Sequence, residues 1–126
     1  MKSDETVLRS IVDAAVEVHQ VLGGPGLLEN IYESALCHEL SLRGLKYQRQ
    51  HPVPVIYKER FVREPLYIDL LIENQIVVEI KATEKDFAYY ATQLLTHLRF
   101  LKMHRGLLIN FGKLSLRETG ITHVTC

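Results

Sequence analysis

The sequence predicts a mixed α/β domain in which helices pack against a central sheet. Apolar residues recur at helical spacing over 5–22, about 27–43 and about 87–102. The segments between and after them change to strand-like runs, ordered ααβββαβ with a further β at the end. A length of 126 residues with 47% apolar and 24% charged side chains suits one domain, residues 1–126, with a real core.

Val7, Leu8, Ile11, Val12, Ala15, Val18 and Leu22 form the apolar stripe of the first helix. Gly23-Gly24-Pro25-Gly26 breaks the chain. The second helix should bury Ile31, Ala35, Leu36, Leu40 and Leu28, and Gly44 is placed to end it in a left-handed conformation. Residues 45–57 hold Val53, Val55 and Tyr57 in alternation. Pro52 and Pro54 between them suit an edge strand or a bulge. Residues 61–72 and 76–82 read as two further strands around Glu73-Asn74-Gln75. Asp86 is placed to cap a third helix, whose stripe is Phe87, Tyr90, Ala91, Leu94, Leu95, Leu98 and Leu101. Gly106 precedes a short buried strand over 107–111, and 114–124 adds a last one.

The hairpin over 67–82 carries charges where charges are rare. Asp69, Glu79 and Lys81 interrupt an otherwise apolar run, and burying an unpaired charge costs several kcal/mol, roughly. Register decides whether they meet. A two-residue turn sends Asp69 and Glu79 to opposite faces. A three-residue turn, Glu73 to Gln75, pairs 72 with 76 and sets 69 opposite 79, with Cβ atoms about 5 Å apart. Lys81 then follows on the face of Glu79, while Val78 and Ile80 face the core. Two carboxylates so close repel, and a divalent cation removes the repulsion. Mg²⁺ takes one or two carboxylates plus water and substrate phosphate, and Lys81 can orient a water or offset charge on phosphorus. That chemistry is phosphodiester cleavage. On spacing alone the trio reads more readily as a surface ion pair, Glu79 or Asp69 to Lys81.

Other features narrow the function. Net charge is zero, but residues 43–63 carry Arg43, Lys46, Arg49, Lys58, Arg60 and Arg63 against Glu59 alone. This basic stretch reads as a phosphate-tracking surface or as an ordinary solvated face. Cys37 and Cys126 lie far apart without metal-ligand spacing, which fits a reducing cytoplasm. No apolar run approaches a membrane span, and the first residues lack a signal-peptide pattern. Nothing resembles a phosphate-binding glycine loop or a zinc pattern. Glu29, Tyr32 and Glu33 share one helical face, with Tyr32 expected to pack and Glu33 to be solvated. Glu29 alone also reads as an acid favoured by the helix dipole.

Asp69, nine intervening residues and then Glu79-Ile80-Lys81 resemble the core motif of the PD-(D/E)xK nuclease superfamily. Gly26-Leu27-Leu28-Glu29-Asn30-Ile31-Tyr32 resembles the signature of the GxxExxY family within it. Asp69-Leu70-Leu71, Val78–Ala82, Gln93-Leu94-Leu95 and Gly106–Gly112 are similar to that family's further blocks, in order, over residues 8–124. The resemblance implies a restriction-endonuclease-like core and a metal-dependent nuclease using Mg²⁺ or Mn²⁺. It makes Asp69, Glu79 and Glu29 metal ligands and Lys81 the catalytic lysine, with Gln93 close to the site. It implies a nucleic-acid partner, DNA before RNA, and allows a homodimer, since cutting both strands at once needs a second copy. The chain departs from the pattern at Ile68, where the motif has proline, and at His97, where the family usually has tyrosine. The alternative function is a catalytically silent binding or interaction module on the same fold.

Overall fold

The computed structural model of the chain describes residues 1–86 and 88–126. Helix α1 (Asp4–Val21) starts at Ser3, whose hydroxyl accepts the Thr6 N–H, with Asp4 and Glu5 in the dipole-favoured first turn. Val7, Leu8, Ile11, Ala15 and Val18 are buried. Helix α2 (Glu29–Leu42) starts without a side-chain cap, and Gly44 beyond it adopts φ 74°. Its buried stripe is Tyr32, Leu36 and Leu40, so Leu36 and Leu40 are buried as the spacing suggested while Tyr32 takes the place expected for Ile31. Ile31, one residue and about 100° round the helix from Tyr32, stays exposed, and so does Leu28, which precedes the first turn as its extended N-cap.

The strand expected over 45–57 is shorter. β1 (Tyr47–Val53) is an edge strand, consistent with its prolines. After Pro54 the chain leaves the sheet for a separate ribbon, β2 (Ile56–Tyr57) against β3 (Arg60–Phe61). It rejoins after Pro65 as β4 (Leu66–Ile72), so the strand expected over 61–72 begins later. Pro54 and Pro65 lack the N–H that would continue the ladder. β5 (Ile76–Lys81), α3 (Ala88–Leu101) and β6 (Arg105–Asn110) follow. The last expected strand divides into a π-helical turn, Leu116–Gly120, and β7 (Ile121–Thr125). Phe87, expected in the stripe of α3, lies outside the described residues, as does the expected helix start there. Asp86, read as its cap, makes an ion pair with Lys113 at 2.6 Å.

The sheet order is β1-β4-β5-β6-β7. β5 and β6 are parallel, joined through α3, and the other neighbours are antiparallel. Helices cover both faces. Leu70, Ile72, Ile76, Val78 and Ile80 join the core under α1 and α2. Ile68, Leu71 and Val77 join Leu94 and Leu98 of α3 in a second, smaller core. The mixed five-stranded sheet between helices is the architecture that the sequence predicts.

Candidate active site

The turn between β4 and β5 uses three residues. Ile72 pairs with Ile76, Leu71 with Val77 and Leu70 with Val78. Glu73 and Asn74 both take left-handed φ, 54° and 53°. The same register sets Asp69 opposite Glu79, but the ladder stops one pair short of them. There Asp69 Oδ2 accepts the N–H of Ile80 at 2.7 Å. The carboxylate fills the gap where β4 parts from β5.

Strict alternation therefore fails at Asp69. Ile68 and Leu71 share the α3-side core although they are an odd three positions apart, while Leu70 faces the other way. The neighbouring strand bends at the matching place: Gln50, which falls opposite Asp69 where the β1–β4 pairing skips a position, has φ 50°, and its side chain lies close enough to pull the Asp69 pKa down. Sequence reasoning missed Gln50, because nothing in one strand names the partner across an edge pair.

Burial and the negative charge of Glu79 push the Asp69 pKa up, against the Ile80 N–H, Gln50 and Lys81. Glu29, at the start of α2, has a raised pKa as well. Its first cause is burial; Lys81 pulls the other way, and Asp69, Glu33 and Glu79 add to the rise. Glu29 thus lies within electrostatic reach of all three residues of the trio. Lys81 Nζ sits 4.4 Å over the Tyr90 ring instead of closing an ion pair with either neighbour carboxylate.

His97, one helical turn beyond Gln93, points Nδ1 at Glu79 Oε1 from 3.7 Å. Both atoms are buried and lack hydrogen-bond partners. The distance exceeds hydrogen-bond length, and a buried carboxylate oxygen with no donor is costly. Gln93 itself is half-buried on α3.

Three further contacts shape the surroundings. Tyr32 stacks on Phe111 at 4.6 Å, donates to Gly24 O and accepts from Leu27 N, which fastens the glycine turn before Glu29. Asn110 Oδ1 accepts from Thr83 N and Gly112 N, holding the segment after Lys81 against β6. Glu33, expected in solvent, is buried because Arg49 reaches it from β1 at 2.7 Å. A cleft of about 380 Å³ opens beside Lys81, between Tyr90 and Asn110. A larger groove, about 800 Å³ around Lys46 and Glu73, lies at the turn end of the hairpin, away from the carboxylates.

Among the described residues no three His, Cys, Asp or Glu side chains form a ready-made metal cage. The donors do fit a Mg²⁺-type ion, which uses one or two carboxylates and completes its shell with water. Asp69 and Glu79 supply two carboxylates that repel each other, and Glu79 keeps an oxygen without a donor.

No curated protein and no solved structure matches the chain. Residues 5–124 match the family described as the PD-(D/E)XK nuclease superfamily. That span takes in both helices before the sheet and every strand, short by one residue at each end, and the whole Asp69–Glu79–Lys81 hairpin. With its mixed sheet flanked by helices in a restriction-endonuclease-like fold, the chain belongs to the PD-(D/E)XK nuclease superfamily.

Proposed function

We propose that the protein is a divalent-metal-dependent nuclease, with Mg²⁺ or Mn²⁺ held by Asp69 and Glu79. The observation that carries this is the Asp69 carboxylate, fixed by Ile80 N–H in the opening between β4 and β5 and repelled by Glu79. A bound ion supplies a Lewis acid for a phosphoryl oxygen and lowers the pKa of an attached water. Asp69 and Glu79 hold their oxygens towards the ion. Glu29 assists through water at the start of α2. The Lys81 ammonium offsets negative charge on the phosphoryl oxygens and orients the attacking water. His97 borders Glu79 on the α3 side, and Gln93 stands one helical turn before it on the same helix. Within the superfamily, the run Gly26–Tyr32 favours the GxxExxY group, and DNA is favoured over RNA by likeness to the superfamily. One site cuts one strand; cutting both at once requires a homodimer.

The test is cleavage of labelled DNA and RNA, single- and double-stranded, with Mg²⁺, Mn²⁺ or EDTA. Glu79→Ala and Lys81→Ala should each abolish metal-dependent cleavage while leaving the circular dichroism spectrum unchanged. Cleavage that survives Lys81→Ala refutes the assigned roles. Absence of Mn²⁺ binding at millimolar concentration, with and without nucleic acid, favours the silent module.

A further inference from the structure

The β2–β3 ribbon has no folding rationale of its own. Both strands are two residues long and all four residues are exposed. A two-stranded ribbon alone is marginal in water. Its turn, Lys58-Glu59, holds both residues at left-handed φ, 47° and 69°. Glycine and asparagine adopt that conformation readily, whereas Lys and Glu are strained in it. Large rings remain in solvent: Phe61 is 75% exposed and Tyr57 62%. Strand pairing sets Tyr57 beside Arg60, and Lys58 Nζ lies 5.4 Å over the Tyr57 ring.

The charges point the same way. In the basic stretch 43–63, Arg43 pairs with Glu39 and Arg49 with Glu33. Among the described residues no carboxylate pairs with Lys58, Arg60 or Arg63, and Arg63 donates only to the Glu64 carbonyl. Of the four cations left over, Lys46 lies at the turn end of the hairpin, and the other three collect on the ribbon and its exit, beside exposed rings.

Position completes the argument. The ribbon joins the end of β1 to the start of β4, so it projects from the end of the sheet where β5 finishes at Lys81. Leu66, at its root, is three strand residues from Asp69, about 10 Å. Tyr67, between them, is exposed.

We propose that the ribbon docks an unpaired, single-stranded segment of nucleic acid beside the phosphodiester presented to Asp69, Glu79 and Lys81. The proposal rests on the nuclease reading for that site. Tyr57 and Phe61 offer ring faces to unstacked bases, and Lys58, Arg60 and Arg63 meet the phosphates. A duplex keeps its bases stacked on one another and cannot use the rings in this way.

The experiment is fluorescence anisotropy in EDTA, where no cleavage occurs, with labelled dT20, rU20 and a 20-base-pair duplex. The full chain is compared with Tyr57→Ala/Phe61→Ala and Lys58→Gln/Arg60→Gln. Each pair is solvent-exposed, and thermal melting checks that the fold is kept. The full chain should bind an unpaired strand more tightly than the duplex. The ring variant should lose about tenfold in affinity, and the charge variant should flatten the salt dependence. A preference between dT20 and rU20 tells which sugar backbone is docked. Wild-type affinity in both variants, or tighter binding of the duplex, overturns the proposal. Loss of self-association in the ring variant during gel filtration, with strand affinity unchanged, assigns the ribbon to a second copy instead. Ribbon-dependent strand binding without cleavage under any metal condition sinks the nuclease reading and leaves the ribbon standing. Cleavage with ribbon-independent binding does the reverse.

Discussion

Replacing Asp69 with asparagine should make the metal-free protein more stable. Asn keeps the shape and its Oδ1 can still accept the Ile80 N–H, so the substitution removes mainly a charge. The β4–β5 register sets Asp69 opposite Glu79, and opposed strand residues stand about 5 Å apart. At an effective dielectric near 20, two negative charges at that separation repel by about 3 kcal/mol. Loss of the Lys81 attraction, and of the charge on a hydrogen-bond acceptor, returns part of this, about 1–2 kcal/mol. The net gain is about 1–2 kcal/mol at neutral pH, or about 3–7 °C in Tm for a chain of this size. The sign of the pH dependence follows from the raised Asp69 pKa. The folded protein holds this proton more tightly than the unfolded chain does. Asp69 therefore contributes most stability below its unfolded pKa, near 3.9, and that contribution is lost as pH rises through the folded value. The gap between variant and wild type should open from about pH 4 upward. A divalent cation at about 100 times its Kd should restore about 2.7 kcal/mol to the wild type and far less to the variant. Thermal melts in EDTA and in Mn²⁺, between pH 4 and 8, measure all of this. Asp69→Asn melting below wild type in EDTA at neutral pH, or equal Mn²⁺ stabilisation of both, refutes the reasoning.

His97→Leu removes the one nitrogen aimed at Glu79 Oε1 and should weaken Mn²⁺ affinity about tenfold. His97→Asn retains an N–H near that position and should recover most of it; calorimetric titration decides, and equal affinity in all three proteins denies His97 a role in orienting Glu79. Arg49→Met strands the buried Glu33 carboxylate and should cost about 1–2 kcal/mol, a modest figure because the arginine is half exposed. Adding Glu33→Gln should return part of that stability in denaturant melts. Gly112→Ala would drive a Cβ into the Thr83 backbone, where Asn110 fastens the segment after Lys81. It should cost about 3 kcal/mol, seen as a fall in Tm of about 10 °C, and an unchanged melt would show that this segment gives way freely.

Local chemistry made much of the hairpin legible. Strand alternation is a local property, so the placing of Val78 and Ile80 in the core followed from it, and the sequence narrowed the turn to two lengths, of which the structure takes the one that pairs 72 with 76. The glycine break, the left-handed Gly44 and the packing role of Tyr32 were equally readable, because backbone freedom and helical periodicity act over a few residues. The burial of Glu33 was not readable, because its partner Arg49 arrives from another element 16 positions away. Leu36 and Leu40 were placed correctly, but Ile31 at the start of α2 was not, because the first turn of a helix this short does not fix which of two adjacent apolar residues turns inward. The excursion between Pro54 and Pro65 was hidden because both flanks carry strand-like residues.

By itself the sequence determined the α/β class and set Asp69, Glu79 and Lys81 apart as charges in an apolar hairpin, consequences of short-range periodicity; the fold chose the three-residue turn that lets 72 pair with 76. Tertiary structure alone decided how Asp69 sits. The matched bends at Gln50 and Asp69 turn its carboxylate into the gap between strands, and α3 brings His97 against Glu79. Those contacts join residues far apart in the chain, and only close packing of separate elements selects them.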